Sequence, residues 1–276
     1  MRTQRSLNFM SAAVIAAAIA APLMGAPVSA DPAVKLKTLF GRSLEVDPAV
    51  TPATLLPDLQ WAFQQSLEAV GTYQPSAQHI LKPLPVDKTT GEVSVATITN
   101  NVTTQDGKLV PTFVVDGKVT DYIWVSGGTE LKDKIAPWKG TQAGLKIRLR
   151  EILGLRPETP DDYVVTLTVK GADVFRPTPN PITSTEWPDP SGKLPPNEYP
   201  TIPADAPAWY PAWFAGNALF SYRPAGYPWT HIGYTYDWKP GLSDHYGVSE
   251  YIIEPGAVAV TWSVAKIADY FGGAAE

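Results

Sequence analysis

Eleven aromatic residues occupy the thirty positions from Trp209 to Trp238, and a stretch with eleven prolines between Pro177 and Pro211 leads into them. Tyrosine and tryptophan combine an apolar ring with a polar group, so such a tract either fills a core or forms a ligand-binding surface. The proline-rich stretch favours extended backbone, because proline interrupts helices and central strands. The chain must therefore pack many large rings beside a long irregular segment.

Residue size alternates in the last part of this tract. Bulky residues stand at the even positions Ile232, Tyr234, Tyr236 and Trp238, and the odd positions carry His231, Gly233, Thr235 and Asp237. This alternation predicts a strand with one packed face and one open face. Four other aromatic residues lie among prolines, glycines and small residues, where we expect loops that are available for binding: Trp209, Trp213, Tyr222 and Trp229.

The N-terminus has the three regions of a bacterial secretory signal peptide. Arg2 and Arg5 precede an apolar run over residues 12–23, and Val28-Ser29-Ala30 supplies small residues at a cleavage site. The run is shorter than the roughly 20 apolar residues that a membrane anchor needs. The sequence therefore predicts export to the periplasm or the exterior of a bacterial cell, with cleavage after Ala30.

Charge and cysteine content exclude several classes of function. Without Arg2 and Arg5 the chain keeps 20 basic and 27 acidic residues, a net charge of −7, which argues against binding nucleic acid or anionic lipid. It contains no cysteine, which excludes disulfides, thiol nucleophiles and thiolate metal sites. No segment after the signal is long and apolar enough to span a bilayer, so we expect a soluble mature protein. No cofactor is predicted.

Hydrophobic periodicity predicts helices over residues 32–40, 57–70 and 145–153, and a further helix that begins at Thr129 after a Ser-Gly-Gly turn. Residues rich in valine, isoleucine and threonine predict strands over 93–99, 110–125 and 163–169. Asp116-Gly117 predicts a hairpin turn inside the second of these. Residues 248–253 and 257–262 are expected to form a strand pair joined at Pro255-Gly256.

Strands and helices do not alternate regularly, which favours an α+β fold with a mainly antiparallel sheet, a few short helices and a long proline-rich surface segment. The expected organisation is a signal peptide over 1–30 and an α+β region over 31–175. A proline-rich wrapping segment follows over 176–211, and then an aromatic-rich β region over 212–276. The last region is expected to pack with residues 31–175 as one domain.

Candidate catalytic groups are few. The three histidines, His79, His231 and His245, match no known metal-ligand spacing, so no metal site is predicted. The chain lacks the Gly-x-Ser-x-Gly motif of serine hydrolases. Four acidic residues near the aromatic tract could supply the carboxylate pair of a glycoside hydrolase: Asp237, Asp244, Glu250 and Glu254.

The sequence favours a non-enzymatic binding or envelope-associated module with an aromatic surface for a glycan or another extended polar ligand. The expected ligand-binding residues are Trp209, Trp213, Tyr222, Trp229, His231 and Asp237. Three alternatives remain open. The protein could be a hydrolase of polysaccharide or cell-wall material that uses an Asp/Glu pair, or a structural protein that docks a protein partner through the proline-rich segment. The loop aromatics could also clamp that segment onto the domain instead of binding a ligand.

Cleavage of the signal peptide gives a direct prediction. The protein recovered outside the cytoplasm of a bacterial host should begin at Asp31, which N-terminal sequencing or intact mass measures. A mass that retains residues 1–30 in that fraction would contradict the assignment.

Overall fold

The computed structural model describes residues 52–70, 83–138, 140–183, 202, 204, 206–223 and 226–272, without the side chains of 52–56 and 142. The predicted signal peptide, the predicted helix over 32–40, His79 and most of the proline-rich segment lie outside these residues.

The described residues form five α-helices and twelve strands. The helices are α1 (Pro52–Ala69), α2 (Glu130–Ile135), α3 (Gln142–Ile152), α4 (Tyr210–Ser221) and α5 (Ile267–Tyr270). The strands are β1 (Glu92–Thr99), β2 (Val102–Gln105), β3 (Lys108–Pro111), β4 (Val114–Val115), β5 (Lys118–Val119), β6 (Ile123–Gly127), β7 (Tyr163–Lys170), β8 (Val174–Phe175), β9 (Tyr234–Tyr236), β10 (Tyr246–Ser249), β11 (Tyr251–Ile253) and β12 (Thr261–Lys266).

A six-stranded sheet with the order β12-β7-β1-β6-β11-β8 is the centre of the fold. Its neighbouring strands are antiparallel, and three two-stranded sheets accompany it: β9-β10, β2-β3 and β4-β5. The predicted α+β class with a mainly antiparallel sheet is confirmed. Strands that precede the proline-rich segment and strands that follow it belong to the same sheet.

Several local predictions are confirmed. Helices α1 and α3 and strands β1 and β7 lie where periodicity placed them, and α2 begins directly after Thr129. The turn between β4 and β5 has φ values of 50° at Asp116 and 72° at Gly117, as a type I′ hairpin requires. The β2–β3 hairpin, which we did not predict, repeats this turn at Asp106-Gly107, with φ values of 50° and 74°.

The expected strand pair over 248–262 is wrong. Strand β11 lies between β6 and β8, whereas β12 pairs with β7 at the opposite edge of the sheet. The chain after Pro255-Gly256 instead follows the β4–β5 hairpin, where Ala259 donates its N–H to the Gly117 carbonyl at 2.9 Å. The Val119 N–H also donates to the Ala257 carbonyl at 2.9 Å, and these two bonds carry the chain along the hairpin instead of into a tight return.

Helices cover one face of the large sheet, and the β4–β5 hairpin with its flanking residues packs on the other. The helix-covered face has two parts. Near β7 and β1, apolar residues of α2, α3 and α5 pack on Ala96 and Val164. Near β11 and β8, helix α4 packs on Phe175 and Ile252. A gap remains between these two groups of helices. No helix among the described residues has the length and apolar character needed to cross a membrane.

The open strand face expected after His231 is also wrong. All three residues of β9 are buried, with Thr235 only 6% exposed. The Thr235 hydroxyl donates to the Ile152 carbonyl at 2.5 Å and accepts from the Val248 N–H at 3.0 Å. The polar side of β9 therefore faces the end of α3 and not the solvent.

Candidate ligand-binding site

A cavity of about 460 Å³ fills the gap between the two groups of helices. Its lining comes from β1, β6, the residues after α3, helix α4, the segment 227–229, strand β9 and Glu250. Seven aromatic residues take part in this lining and are called the aromatic wall: Phe113, Tyr122, Trp124, Phe220, Tyr227, Trp229 and Tyr236. A concave space with a mainly apolar surface is the usual form of a small-molecule site.

Strand register explains which side chains reach this cavity. Ala96 is opposite Ser126, and Trp124 is opposite Ile252. Side chains two residues apart in extended backbone share a face. Glu250 and Ile252 therefore point to the same side of the sheet as Trp124. Trp124 and Glu250 therefore reach the cavity from the helix-covered face of the sheet.

The loop positions predicted for three site residues are wrong. Trp209 is the N-cap of α4, Trp213 lies within this helix and Tyr222 is its C-cap. Pro211 stands in the first turn, where proline is compatible with a helix, and residues 210–221 carry no charge. Prolines and glycines in this part of the chain therefore do not indicate a loop, because they are compatible with α4.

The aromatic residues at the start of α4 hold the beginning of the proline-rich segment. Phe175 contacts Trp209 and Trp213, with ring centroids 5.3 Å and 4.9 Å away. The buried Tyr210 hydroxyl donates to the Arg176 carbonyl at 2.9 Å and also contacts the Thr178 carbonyl. This geometry corresponds to the clamp alternative for Trp209 and Trp213.

Tyr222, Trp229 and His231 form a unit at the other end of α4. The Tyr222 ring stacks on Trp229 at 6.0 Å, and its hydroxyl donates to the Trp229 carbonyl at 2.7 Å. With that proton used, the hydroxyl accepts from His231 Nδ1–H at 2.7 Å. Burial lowers the pKa of His231 to about 4, so its ring is neutral at physiological pH. This unit fixes Trp229, which is 4% exposed, in the aromatic wall.

Asp237 is not brought together with the other predicted site residues. Its carboxylate, 1% exposed, receives two hydrogen bonds from Arg148 of α3, at 2.8 Å and 2.5 Å. Arg148 also binds Glu151 at 3.0 Å. Burial raises the pKa of Glu151 to about 7, against the opposing effect of Arg148. Asp237 therefore joins β9 to α3.

Glu250 is the polar group that the sequence analysis did not single out. It is one of four acidic residues near the aromatic tract, and it is the one charged residue between Val248 and Ile253. The residue is half-buried as a whole, but its Oε2 is inaccessible and has no hydrogen-bond partner among the described residues. Burial raises the pKa of Glu250 to about 8, so the unliganded side chain is mostly protonated at neutral pH.

Two buried donors on the cavity lining share this lack of partners. Trp229 Nε1 and Asn217 Nδ2 have no hydrogen-bond acceptor within the described part of the chain. Buried polar atoms in native proteins nearly always have partners, and each missing one costs about 1–3 kcal/mol. Three such atoms around one cavity indicate that a ligand or ordered water completes the site.

The other chemistry considered from the sequence is not assembled at this cavity. Glu250 supplies the single carboxylate among its described lining residues. His245 stacks on Tyr236 at 4.7 Å and contacts the Asp237 carbonyl through Nδ1 at 2.6 Å. No three His, Asp or Glu residues of the described ranges are grouped so that they could hold a metal ion.

Comparison of the chain with protein-family models, with curated proteins and with solved structures found no match. The site must therefore be interpreted from its own geometry.

The position of Asp237 predicts a structural effect on mutation. Asp237→Ala should lower the free energy of unfolding by about 3 kcal/mol, because it leaves buried Arg148 with Glu151 alone as a carboxylate partner. Chemical denaturation measures this loss. As a control, Glu68→Ala on the exposed side of α1 should change stability by less than about 0.5 kcal/mol. Equal effects of the two substitutions would contradict a structural role for Asp237.

Burial of Glu250 predicts a pH dependence of stability. The native state keeps a proton that the unfolded chain loses near its usual pKa of 4.5, so the free energy of unfolding should fall as pH rises from about 5 to 8. The contribution is at most about 5 kcal/mol, at about 1.4 kcal/mol per unit of pKa.

Denaturation of Glu250→Gln across this pH range isolates that contribution. The variant should be less sensitive to pH, while Glu151 and Asp161, whose pKa values burial also raises, retain part of the slope. An unchanged slope would show that Glu250 remains charged in the native protein.

Proposed function

We propose that this protein is an exported binding protein that holds a small ligand, or the end of an extended polar one such as a glycan, in the cavity beneath α4. The observation that carries the proposal is the set of three buried polar atoms without described partners: Glu250 Oε2, Trp229 Nε1 and Asn217 Nδ2. A fold bears the cost of such atoms when a ligand supplies their hydrogen bonds.

The aromatic wall supports binding of a ligand with an apolar surface. It includes Trp124, which lies 6.4 Å from Trp229 in an edge-to-face arrangement. Strand β6 holds one ring and the Tyr222–His231 unit holds the other, so both are ordered before a ligand arrives. Ordered aromatic surfaces bind with little loss of side-chain entropy.

Binding is better supported than hydrolysis. Glycoside hydrolysis needs two carboxylates about 5–10 Å apart, one on each side of the bond that breaks. The described lining provides Glu250, whereas Asp237 is bound to Arg148 outside the lining. A single acid surrounded by aromatic rings is suited to recognising a ligand.

Export belongs to the proposal on the basis of the sequence. Arg2, Arg5, the apolar run over 12–23 and Val28-Ser29-Ala30 support it, together with a cysteine-free composition compatible with a bacterial periplasm. The ligand would then be one that the protein meets outside the cytoplasm.

A substitution that fills the cavity tests binding. Asn217→Trp places a large ring where the cavity lining now has an amide, and we expect it to reduce binding of the neutral fluorophore N-phenyl-1-naphthylamine at least tenfold. Fluorescence titration measures the affinity, and thermal denaturation must show that the variant is folded. Soluble oligosaccharides and small organic molecules can then be compared by displacement of this fluorophore from the unmodified protein.

Leu219→Trp is the matched control, because Leu219 lies on the same helix, is 79% exposed and does not line the cavity. It adds the same ring to α4 and should leave the affinity within about twofold. Equal fluorophore binding by the protein and both variants would contradict a binding site in the cavity.

A further inference from the structure

The cavity has an unusual set of charged groups. Its described lining contains one carboxylate, Glu250, and no lysine, arginine or histidine. The nearest backbone constraint is the Glu250 N–H, which donates to the Gly233 carbonyl at 2.9 Å. This hydrogen bond fixes the Cα from which the side chain extends. The acid is thus positioned in a lining whose described residues include no cation.

We propose that the ligand of this cavity is a small organic amine, whose protonated nitrogen pairs with Glu250 and whose apolar body lies against the aromatic wall. This inference rests on the binding function proposed above and specifies its ligand.

A cationic nitrogen satisfies both main features of the site. It supplies the donor that Glu250 Oε2 lacks, and a carboxylate with a charged donor forms a short and strong hydrogen bond. Tryptophan faces also attract cations, and this attraction increases where water is excluded. Trp124 and Trp229 are both on the lining. An anionic ligand would meet a carboxylate and no compensating cation.

A neutral sugar fits the lining less well than an amine. A sugar ring carries hydroxyl groups on most of its carbons, and each needs a partner when it is buried. The Thr235 hydroxyl is already bonded to the Ile152 carbonyl and the Val248 N–H. Most of the remaining lining is apolar. The site therefore favours a ligand with one charged group and few other polar atoms.

The two buried donors add one requirement to the ligand. Trp229 Nε1–H and Asn217 Nδ2–H can only donate, so the oxygen of a hydroxyl or carbonyl group would complete them. An amine that also carries such an oxygen should therefore bind more tightly than the same amine without it.

Pairing with a cation also requires Glu250 to ionise. Its pKa of about 8 means that below this pH the unliganded acid must lose a proton when the amine binds. The affinity should consequently rise roughly tenfold for each pH unit up to about 8, and then remain level until the amine itself loses its proton.

Neighbouring titratable groups do not alter the predicted pH dependence of amine binding. Tyr122, Tyr227 and Tyr236 are the tyrosines on the lining, and burial raises the pKa of Tyr236 to about 12. Elements packed around the site also carry Glu130, His231 and Tyr251. Burial is the cause of the raised pKa of Glu250, without a charge contribution from any of these groups.

Calorimetry with three probes of similar shape tests the proposal on the full mature chain. 2-Phenylethylamine provides the cation, 2-phenylethanol is its neutral counterpart, and 2-amino-1-phenylethanol adds a hydroxyl group to the amine. At about pH 6.5, titrations in two buffers of different ionisation enthalpy should show release of roughly one proton per bound amine. The alcohol should bind at least tenfold more weakly and release no proton.

Variants of two glutamates identify the responsible group. Glu250→Gln should weaken the amines at least tenfold and abolish proton release. Glu254→Gln is the matched control, because Glu254 directly follows β11, as Glu250 directly precedes it, and does not line the cavity. This variant should bind amines as the unmodified protein does.

The outcomes separate this inference from the proposed function. Equal affinity for the amine and the alcohol overturns the amine assignment, as does an absence of amine binding at millimolar concentration. If the fluorophore still binds in the cavity, the binding function survives either result. If the fluorophore does not bind, both proposals fail.

Discussion

The contact between α3 and β9 positions one side of the cavity. Arg148 holds Asp237 through two hydrogen bonds, and the Trp238 N–H donates to the Glu151 carbonyl at 3.1 Å. The Trp238 ring donates through Nε1 to the Leu155 carbonyl at 2.8 Å. These bonds place Thr235 and Tyr236 beside the end of α3, where they close one side of the site. They fix β9 together with its pairing to β10.

This contact also explains a close approach of the backbone. A Cβ atom at Gly247 would lie 2.1 Å from Thr235 Oγ1 and 2.5 Å from the Ile152 carbonyl oxygen. Strand β10 can therefore reach β9 and α3 together only with glycine at this position. The next residues along the chain continue into Glu250 and β11. The geometry that packs β9 thus also determines where the cavity acid is placed.

Local patterns predicted the parts of the fold that depend on neighbouring residues. Periodicity located α1 and α3, and the φ requirement of a type I′ turn located the hairpin at Asp116-Gly117. The sheet order depends on contacts between distant residues, and alternation in residues 248–262 contains no information about which strand lies beside which. The same limit applies to Asp237. Its odd position in the alternation indicated solvent, but Arg148, 89 residues earlier, covers it.

The aromatic tract, which the sequence presents as one feature, has three physical roles. Trp209, Tyr210 and Trp213 pack around Phe175 and hold the start of the proline-rich segment. Tyr234 and Trp238 are core residues. Phe220, Tyr227, Trp229 and Tyr236 line the cavity. The number of aromatic residues cannot distinguish these roles, because each of them buries large rings.

A single acid next to an apolar strand is the more specific sequence signal. An acid has a reason to be buried only where something pairs with it, whereas an aromatic ring gains from burial almost anywhere. Asp237 and Glu250 both carry this signal, and the structure separates them by their partners. Arg148 neutralises Asp237, which makes it part of the scaffold. Glu250 faces the cavity without a cation from the described residues, so the same physical requirement points there to a ligand.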